Sequence, residues 1–233
     1  AESARLFARE GATVLLAARS EDRLAKVVDS IKSDGGTASQ VVCDVTKAAD
    51  IERLANTAVE RYCQLDCAFN NAALSAGLAP LADLSEAELD ELIATNIKGM
   101  WLAMRAEIRA MLAAGNGGSI VNMTSLAGIR GVAGMSTYAA TKHAVIGLSR
   151  SAAHDYGRSG LRINAIAPGL VDTEAVLAWK QGAPEGTQAY EAMTPLGRTG
   201  RPIEVAEAAA WLLSDRAGYL TGAVLAIDGG MTA

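Results

Sequence analysis

The sequence predicts an α/β fold: a Rossmann-like, doubly wound parallel sheet in three layers, α/β/α. Three observations carry that prediction. Short apolar runs alternate along the chain with longer stretches of helical period. The apolar runs are near-continuous instead of alternating with polar residues, as in strands covered by helices on both faces. Half of the 233 residues are hydrophobic and only 20% are charged, enough apolar material for one large core. No linker, repeat or low-complexity stretch interrupts the pattern, so residues 1–233 read as a single domain.

The elements follow in order. "AESARLFAREGA" opens the chain as a helix that turns at Gly11. Strand-like runs are "TVLLAA" (13–18), "ASQVVC" (38–43), "DCAFN" (66–70), "SIVNMT" (119–124), "LRINAIA" (161–167) and "AVLAID" (223–228). Helical patterns fill 21–34, 48–62, 86–114, 136–157 and 203–214. Ser20 and Ser85 each precede an acidic first turn, which is a helix-start signal. The segment 170–202 departs from the pattern. Gly182, Pro184, Gly186, Pro195, Gly197, Gly200 and Pro202 break its periodicity, so it reads as a long, mobile, partly helical excursion that serves as a substrate lid.

Composition removes several classes of function. A net charge of −5 gives no electrostatic basis for a nucleic-acid or anionic-membrane partner. Cys43, Cys63 and Cys67 are too few and too odd for a disulfide framework, and point to a reducing, cytoplasmic setting. Cys63 and Cys67 have no neighbouring Cys/His pair, so no metal site is expected. No signal-peptide pattern and no apolar run near ~18 residues is found in the sequence.

The chemistry gathers where strands end, which is where parallel sheets place their ligands. In "TSLAGIRGVAGMSTYAATK", Ser125 ends a strand, Tyr138 follows 13 residues later, and Lys142 four after that. A helix over 136–157 puts Tyr138 and Lys142 on one face, about 6 Å apart along its axis. A phenol with a free pKa of about 10 is a poor base at neutral pH. A close ammonium would favour the phenolate, and such a tyrosine could give or take a hydroxyl proton. Ser125 could hydrogen-bond the same substrate oxygen. Alone, a Tyr and a Lys at this spacing are also what an ordinary solvated helix face shows.

They are not alone. "NNAA" (70–73), "NIKG" (96–99), "NAIAPGLVDT" (164–173) and "CDV" (43–45) stand at other strand ends or inside the long helix. With these motifs in this order, the chain resembles the short-chain dehydrogenase/reductase family, in its single-domain branch, essentially end to end. The resemblance implies Tyr138 as catalytic acid/base and Lys142 as the group that lowers its pKa and binds the nicotinamide ribose. It implies Ser125 as the residue that polarises the substrate carbonyl, and Asn96 as holder of a water linking Lys142 to solvent. Asn70, Ala72 and nearby backbone would meet the cofactor ribose, and Asp44 and Val45 the adenine. Pro168 and Gly169 would be further cofactor contacts, with Val171 and Thr173 at the carboxamide. One departure is Ala73, where the family's motif usually ends in Gly.

The strand "TVLLAAR" ends without a carboxylate. NAD users of this fold place Asp or Glu where this chain has Ala18, whereas Arg19 and Ser20 suit a 2′-phosphate, so NADP is preferred over NAD. The family's first strand and its Gly-rich, pyrophosphate-binding turn are expected to be missing from these residues. "GNGG" (115–118) precedes a strand, and "GIRGVAG" (128–134) reads as a substrate-side loop. Two readings follow. One is an oxidoreductase moving hydride between a nicotinamide and a secondary alcohol or ketone. Its substrate would be a 3-oxoacyl thioester, a sugar, a steroid or a small cyclic ketone. The other is a cofactor-deficient relative acting as a scaffold. Trp101 and Met104 read as packing residues, His143 and His154 as structural or solvent-facing, and Trp179 as a lid residue. The family implies a homotetramer.

Overall fold

The computed structural model describes all residues except Ala76. Every strand pairing in it is parallel. β1 (Val14–Ala18) pairs with β2 (Ala38–Val42) in a two-stranded sheet. β3 (Cys67–Asn70), β4 (Gly118–Met123), β5 (Leu161–Pro168) and β6 (Val224–Ile227) form a four-stranded sheet in that order. The sequence predicts one sheet. The structure has two sheets, because no described residue pairs with the second edge of β1 or of β3.

Helices cover both faces. α1 (Glu2–Arg9) packs on α9 (Pro202–Leu213). α2 (Glu21–Ser33) flanks β1 and β2, and α3 (Ala48–Tyr62) lies on α5 (Met100–Ala114). On one face of the larger sheet, Ile120 and Ile163 pack with Met104, Ile108 and Met111 of α5 and Val145 of α6 (Ser136–Tyr156). On the other, Val121 and Ile166 pack with Val205, Ala209 and Leu212 of α9. Full burial of such a side chain is worth about 1.5–3 kcal/mol. Consecutive residues of β4 feed opposite faces, which is why its sequence runs apolar without alternation.

Two predicted elements differ in detail. The helix expected over 86–114 is α4 (Glu86–Leu92), a π-helical stretch (Ile93–Gly99) and then α5. Asn96, inside that stretch, is drawn to the backbone of Leu74 (2.7 and 2.9 Å). Gly99 lets the helix approach Val45 closely, since a Cβ there would meet the valine at 3.1 Å. π-Segments of this kind mark functional places in helices. The excursion 170–202 is more regular than its composition suggests, holding α7 (Glu174–Gly182) and α8 (Pro184–Met193). α7 buries no residue and α8 only Thr187, so no apolar stripe marks either helix in the sequence.

Ser85 makes the expected capping box with Glu88, whereas the Ser20 hydroxyl makes no cap bond. Cys43 is buried and Cys63 and Cys67 are exposed, all as free thiols. Among the described residues no cluster of metal-ligating side chains is found, and no helix is long and apolar enough to cross a membrane.

Candidate active site

The site lies at the carboxyl end of β4, where the start of α6 is clamped onto the strand. Thr124 Oγ1 donates to the carbonyl of Lys142 (2.7 Å), and Lys142 Nζ donates to the carbonyl of Met123 (3.0 Å). Gly128 permits this contact, because a Cβ there would collide with Thr124 Oγ1 and the Lys142 backbone. Ser125 accepts from the amide of Ala127 (3.2 Å) and caps the 3₁₀ turn that leads away.

Tyr138 and Ser125 are brought together: the serine hydroxyl lies near enough to the phenol to ease its ionisation. Burial raises the phenol's pKa, and the serine opposes that only in part. This corrects the electrostatic expectation. In the free chain Lys142 does not hold the phenol acidic. Its ammonium is turned to Met123 and sits 5.6 Å from the centroid of the Tyr138 ring. Burial also pulls the lysine down, to about 8, in a side chain only 1% exposed. In this geometry burial favours the neutral phenol and loosens the lysine's hold on its proton.

Asn96 is buried and fully engaged. Its Nδ2 donates to Leu74 O (2.9 Å) and Thr141 Oγ1 (3.1 Å), and its Oδ1 accepts from Leu74 N (2.7 Å). Its side chain thus latches the segment after β3 to α6, and its amide donors are not free for a relay water. Asn70 is likewise turned inward, with Nδ2 donating to Glu107 (2.8 Å) and Asn122 (2.9 Å). Only its Oδ1 and backbone remain for a ribose. Ala72 is exposed beside it.

The remaining residues sit at neighbouring strand ends. Arg19 follows β1 and makes no hydrogen bond or ion pair among the described residues, though its charge helps hold the Asp44 carboxyl low, after the Thr46 hydrogen bonds and Lys47. Asp44 Oδ1 accepts from Thr46 N and Oγ1 (3.0 and 2.8 Å), which leaves Oδ2 open. Val45 packs with Ile51 and Leu102. Pro168 ends β5, and Gly169 N donates to Ile227 O (3.0 Å). A Cβ on Gly169 would strike Tyr190 Oη at 2.7 Å. Val171 bridges Gly200, and Thr173 caps α7 through Val176 N (3.3 Å). His143 is exposed, as expected. Met104 packs in the core, but Trp101 is 45% exposed, with Arg105 stacked 5.0 Å from its ring centroid. Trp179 closes on Gly186 within the α7–α8 pair.

Sequence reading missed Thr124, Thr141 and Glu107. Glu107 was the most legible, since it stands on the same helix stripe as Met104, Ile108 and Met111. Burial raises its carboxyl to about 7, with Asn70 opposing.

Known proteins resemble this chain along nearly its whole length. A family model described as Enoyl-(Acyl carrier protein) reductase matches residues 1–232. The A-factor type gamma-butyrolactone 1'-reductase (1S-forming) of Streptomyces virginiae is 45% identical over 97% of this chain and 88% of its own. A 2,5-dichloro-2,5-cyclohexadiene-1,4-diol dehydrogenase of Sphingobium indicum is 40% identical over 98% of this chain and 90% of its own. The solved structure of ElxO with NADP bound superposes with a TM-score of 0.93 at 28% identity, covering 99% of this chain and 92% of that one. The chain therefore belongs to the short-chain dehydrogenase/reductase family, oxidoreductases that act on alcohols and ketones.

Proposed function

We propose that the protein moves hydride between NADP(H) and a secondary alcohol or ketone, with Tyr138 as the acid/base. NAD is the lesser cofactor. The observation that carries this reading is a half-buried phenol beside the Ser125 hydroxyl, one helical turn from a buried ammonium. That ammonium has three N–H donors and one partner, the Met123 carbonyl. Two unspent donors on a side chain removed from water fit a ribose diol. Arg19, unpaired at the end of β1, and the unused Ser20 hydroxyl fit a 2′-phosphate. In this reading Asp44 Oδ2, which Thr46 leaves unused, would meet the adenine, and Val171 and Thr173 the carboxamide.

When bound, the nicotinamide supplies the hydride that reaches the carbonyl carbon. The chain's own residues handle the oxygen. Ser125 and Tyr138 both hydrogen-bond it, and Tyr138 gives it a proton as negative charge develops there. Burial keeps the phenol in the protonated form that this step needs. In oxidation the same group must first lose that proton, which requires Lys142 charged and close. Asn96 supports the site by holding the Leu74 segment and Thr141.

Relatives named for a butyrolactone and a cyclohexadiene-diol favour a small ring ketone or alcohol as substrate. The exposed Trp101 face of α5 supports a homotetramer, and three free thiols support the cytoplasm as its place. The test is Tyr138→Phe assayed with NADPH and a panel of cyclic ketones. Turnover falls by at least ~10³-fold while NADPH binding, followed by fluorescence, changes less than about threefold. Retained turnover would refute the acid/base role. Absence of NADPH binding in the unaltered protein would refute the cofactor assignment.

A further inference from the structure

The segment 170–202 is tied to its own root chiefly by one side chain. At the root, residues 170–172 and Gly200 run together: Asp172 N donates to Gly200 O and Gly200 N to Leu170 O, both at 2.9 Å. α7 and α8 rise between these two arms as a hairpin. Lys180, in the last turn of α7, sends its ammonium back to three acceptors. They are Asp172 Oδ1 on the entering arm (2.8 Å), Thr199 Oγ1 on the leaving arm (2.7 Å) and Glu191 Oε1 on α8 (3.0 Å). Thr199 Oγ1 donates in turn to Asp172 Oδ1 (2.8 Å). All three ammonium hydrogens are used, on partners from the three parts that must stay together.

Little else holds the hairpin. α7 buries no residue and α8 buries one, while Leu177 and Met193 are exposed. Tyr190 adds one bond, its hydroxyl accepting from Leu170 N (2.8 Å). Lys180 is also the only cation between residues 170 and 197, against Asp172, Glu174, Glu185 and Glu191. Without it, the Asp172 and Glu191 carboxylates face one another uncompensated, and their repulsion pushes α8 off the root.

We propose that Lys180 is a positioning residue, the clasp that holds the α7–α8 lid down on the strand end carrying Gly169, Val171 and Thr173. It touches no reacting atom. It acts by keeping the lid's root in register, so it governs how firmly substrate is held and leaves proton transfer alone. The kinetic part of this inference rests on the oxidoreductase reading, and the structural part does not.

The test compares Lys180→Met and Lys180→Arg with the unaltered protein by amide hydrogen exchange. In Lys180→Met, residues 174–193 exchange at least ~10-fold faster while β4 and β5 are unchanged. In Lys180→Arg, which keeps the charge, most of the protection returns. With NADPH and a cyclic ketone, Lys180→Met raises KM about 10-fold and changes kcat less than threefold. Exchange in 174–193 that is unaltered in Lys180→Met, or accelerated equally in β4 and β5, overturns the clasp. So does an Arg variant as unprotected as the Met variant. If the exchange result is as expected and no variant or parent reduces any ketone, the clasp stands and the proposed activity falls.

Discussion

Replacing Glu107 by glutamine should stabilise the protein at neutral and alkaline pH and do nothing in acid. The Glu107 carboxyl lies between α5 and the end of β3, where Asn70 Nδ2 donates to it at 2.8 Å. Desolvation raises it from 4.5 to about 7, a difference of roughly 3 kcal/mol between its neutral and ionised forms. The native pKa lies above the unfolded one, so the fold holds this proton more tightly than the open chain does. The stabilising contribution is fully present below about pH 4.5 and is lost as pH rises through 7. Glutamine never ionises and keeps a carbonyl acceptor for Asn70. The gap in unfolding free energy between variant and parent should therefore open from near zero at pH 4.5, through about 2 kcal/mol at pH 6, to about 3 kcal/mol at pH 8. Stranding the new amide hydrogens would subtract about 1 kcal/mol at every pH without changing the slope. Urea unfolding at equal protein concentration across pH 5 to 8 measures this, provided the m-value is unchanged. A gap that does not vary with pH would refute the reasoning, because it would mean Glu107 ionises as freely in the fold as in the open chain.

Other outcomes follow from the site. Lys142→Ala should reduce kcat/KM by ~10²-fold or more and weaken NADPH at least ~10-fold by fluorescence titration; unchanged affinity would contradict its ribose contact. Reductive kcat/KM, which reports the free enzyme, should fall above about pH 8 as Lys142 loses its proton, and a profile flat to pH 10 would show that its charge is not needed. Arg19→Asp should move the NADP/NAD preference toward NAD by at least ~10-fold in kcat/KM, with no shift marking Arg19 as a bystander. Gly128→Ala should cost about 2 kcal/mol or more in urea unfolding, because its methyl displaces Thr124 from the Lys142 carbonyl.

The larger architecture was legible because burial on both faces writes itself into composition. β4 and β5 are buried almost throughout, and six largely apolar runs separated by helical segments are what a doubly wound parallel sheet calls for. Spacing sufficed to bring Tyr138 to Ser125, since one stands in the first turn of a helix and the other just past the strand that α6 covers. It could not give the direction of the Lys142 ammonium. Spacing along a helix fixes where a Cα sits, whereas a four-carbon stem chooses among carbonyls and rings within its reach, and here it chose Met123. The same limit explains Asn96 and Asn70. Each was read as facing a ligand, and each spends its amide donors on the protein, because a buried amide left unpaired costs more than a ligand contact returns in the free chain.

The lid was the least legible part for the opposite reason. α7 and α8 bury almost nothing, so no hydrophobic period announces them, and their order comes from charge and caps: Thr173 on Val176, Pro184 opening α8, and Lys180 across the root. Those interactions join residues up to 19 positions apart and only exist once the hairpin has closed. A segment held this way can open without unpacking the core, since breaking the Lys180 bonds exposes few apolar side chains. The strand ends and α6, by contrast, are locked by buried contacts such as Thr124 to Lys142 O and Asn122 to Ser149. In the proposed reading, the rigid floor fixes proton transfer and the lightly held cover admits the substrate. Sequence patterns report the floor well because burial is what built it.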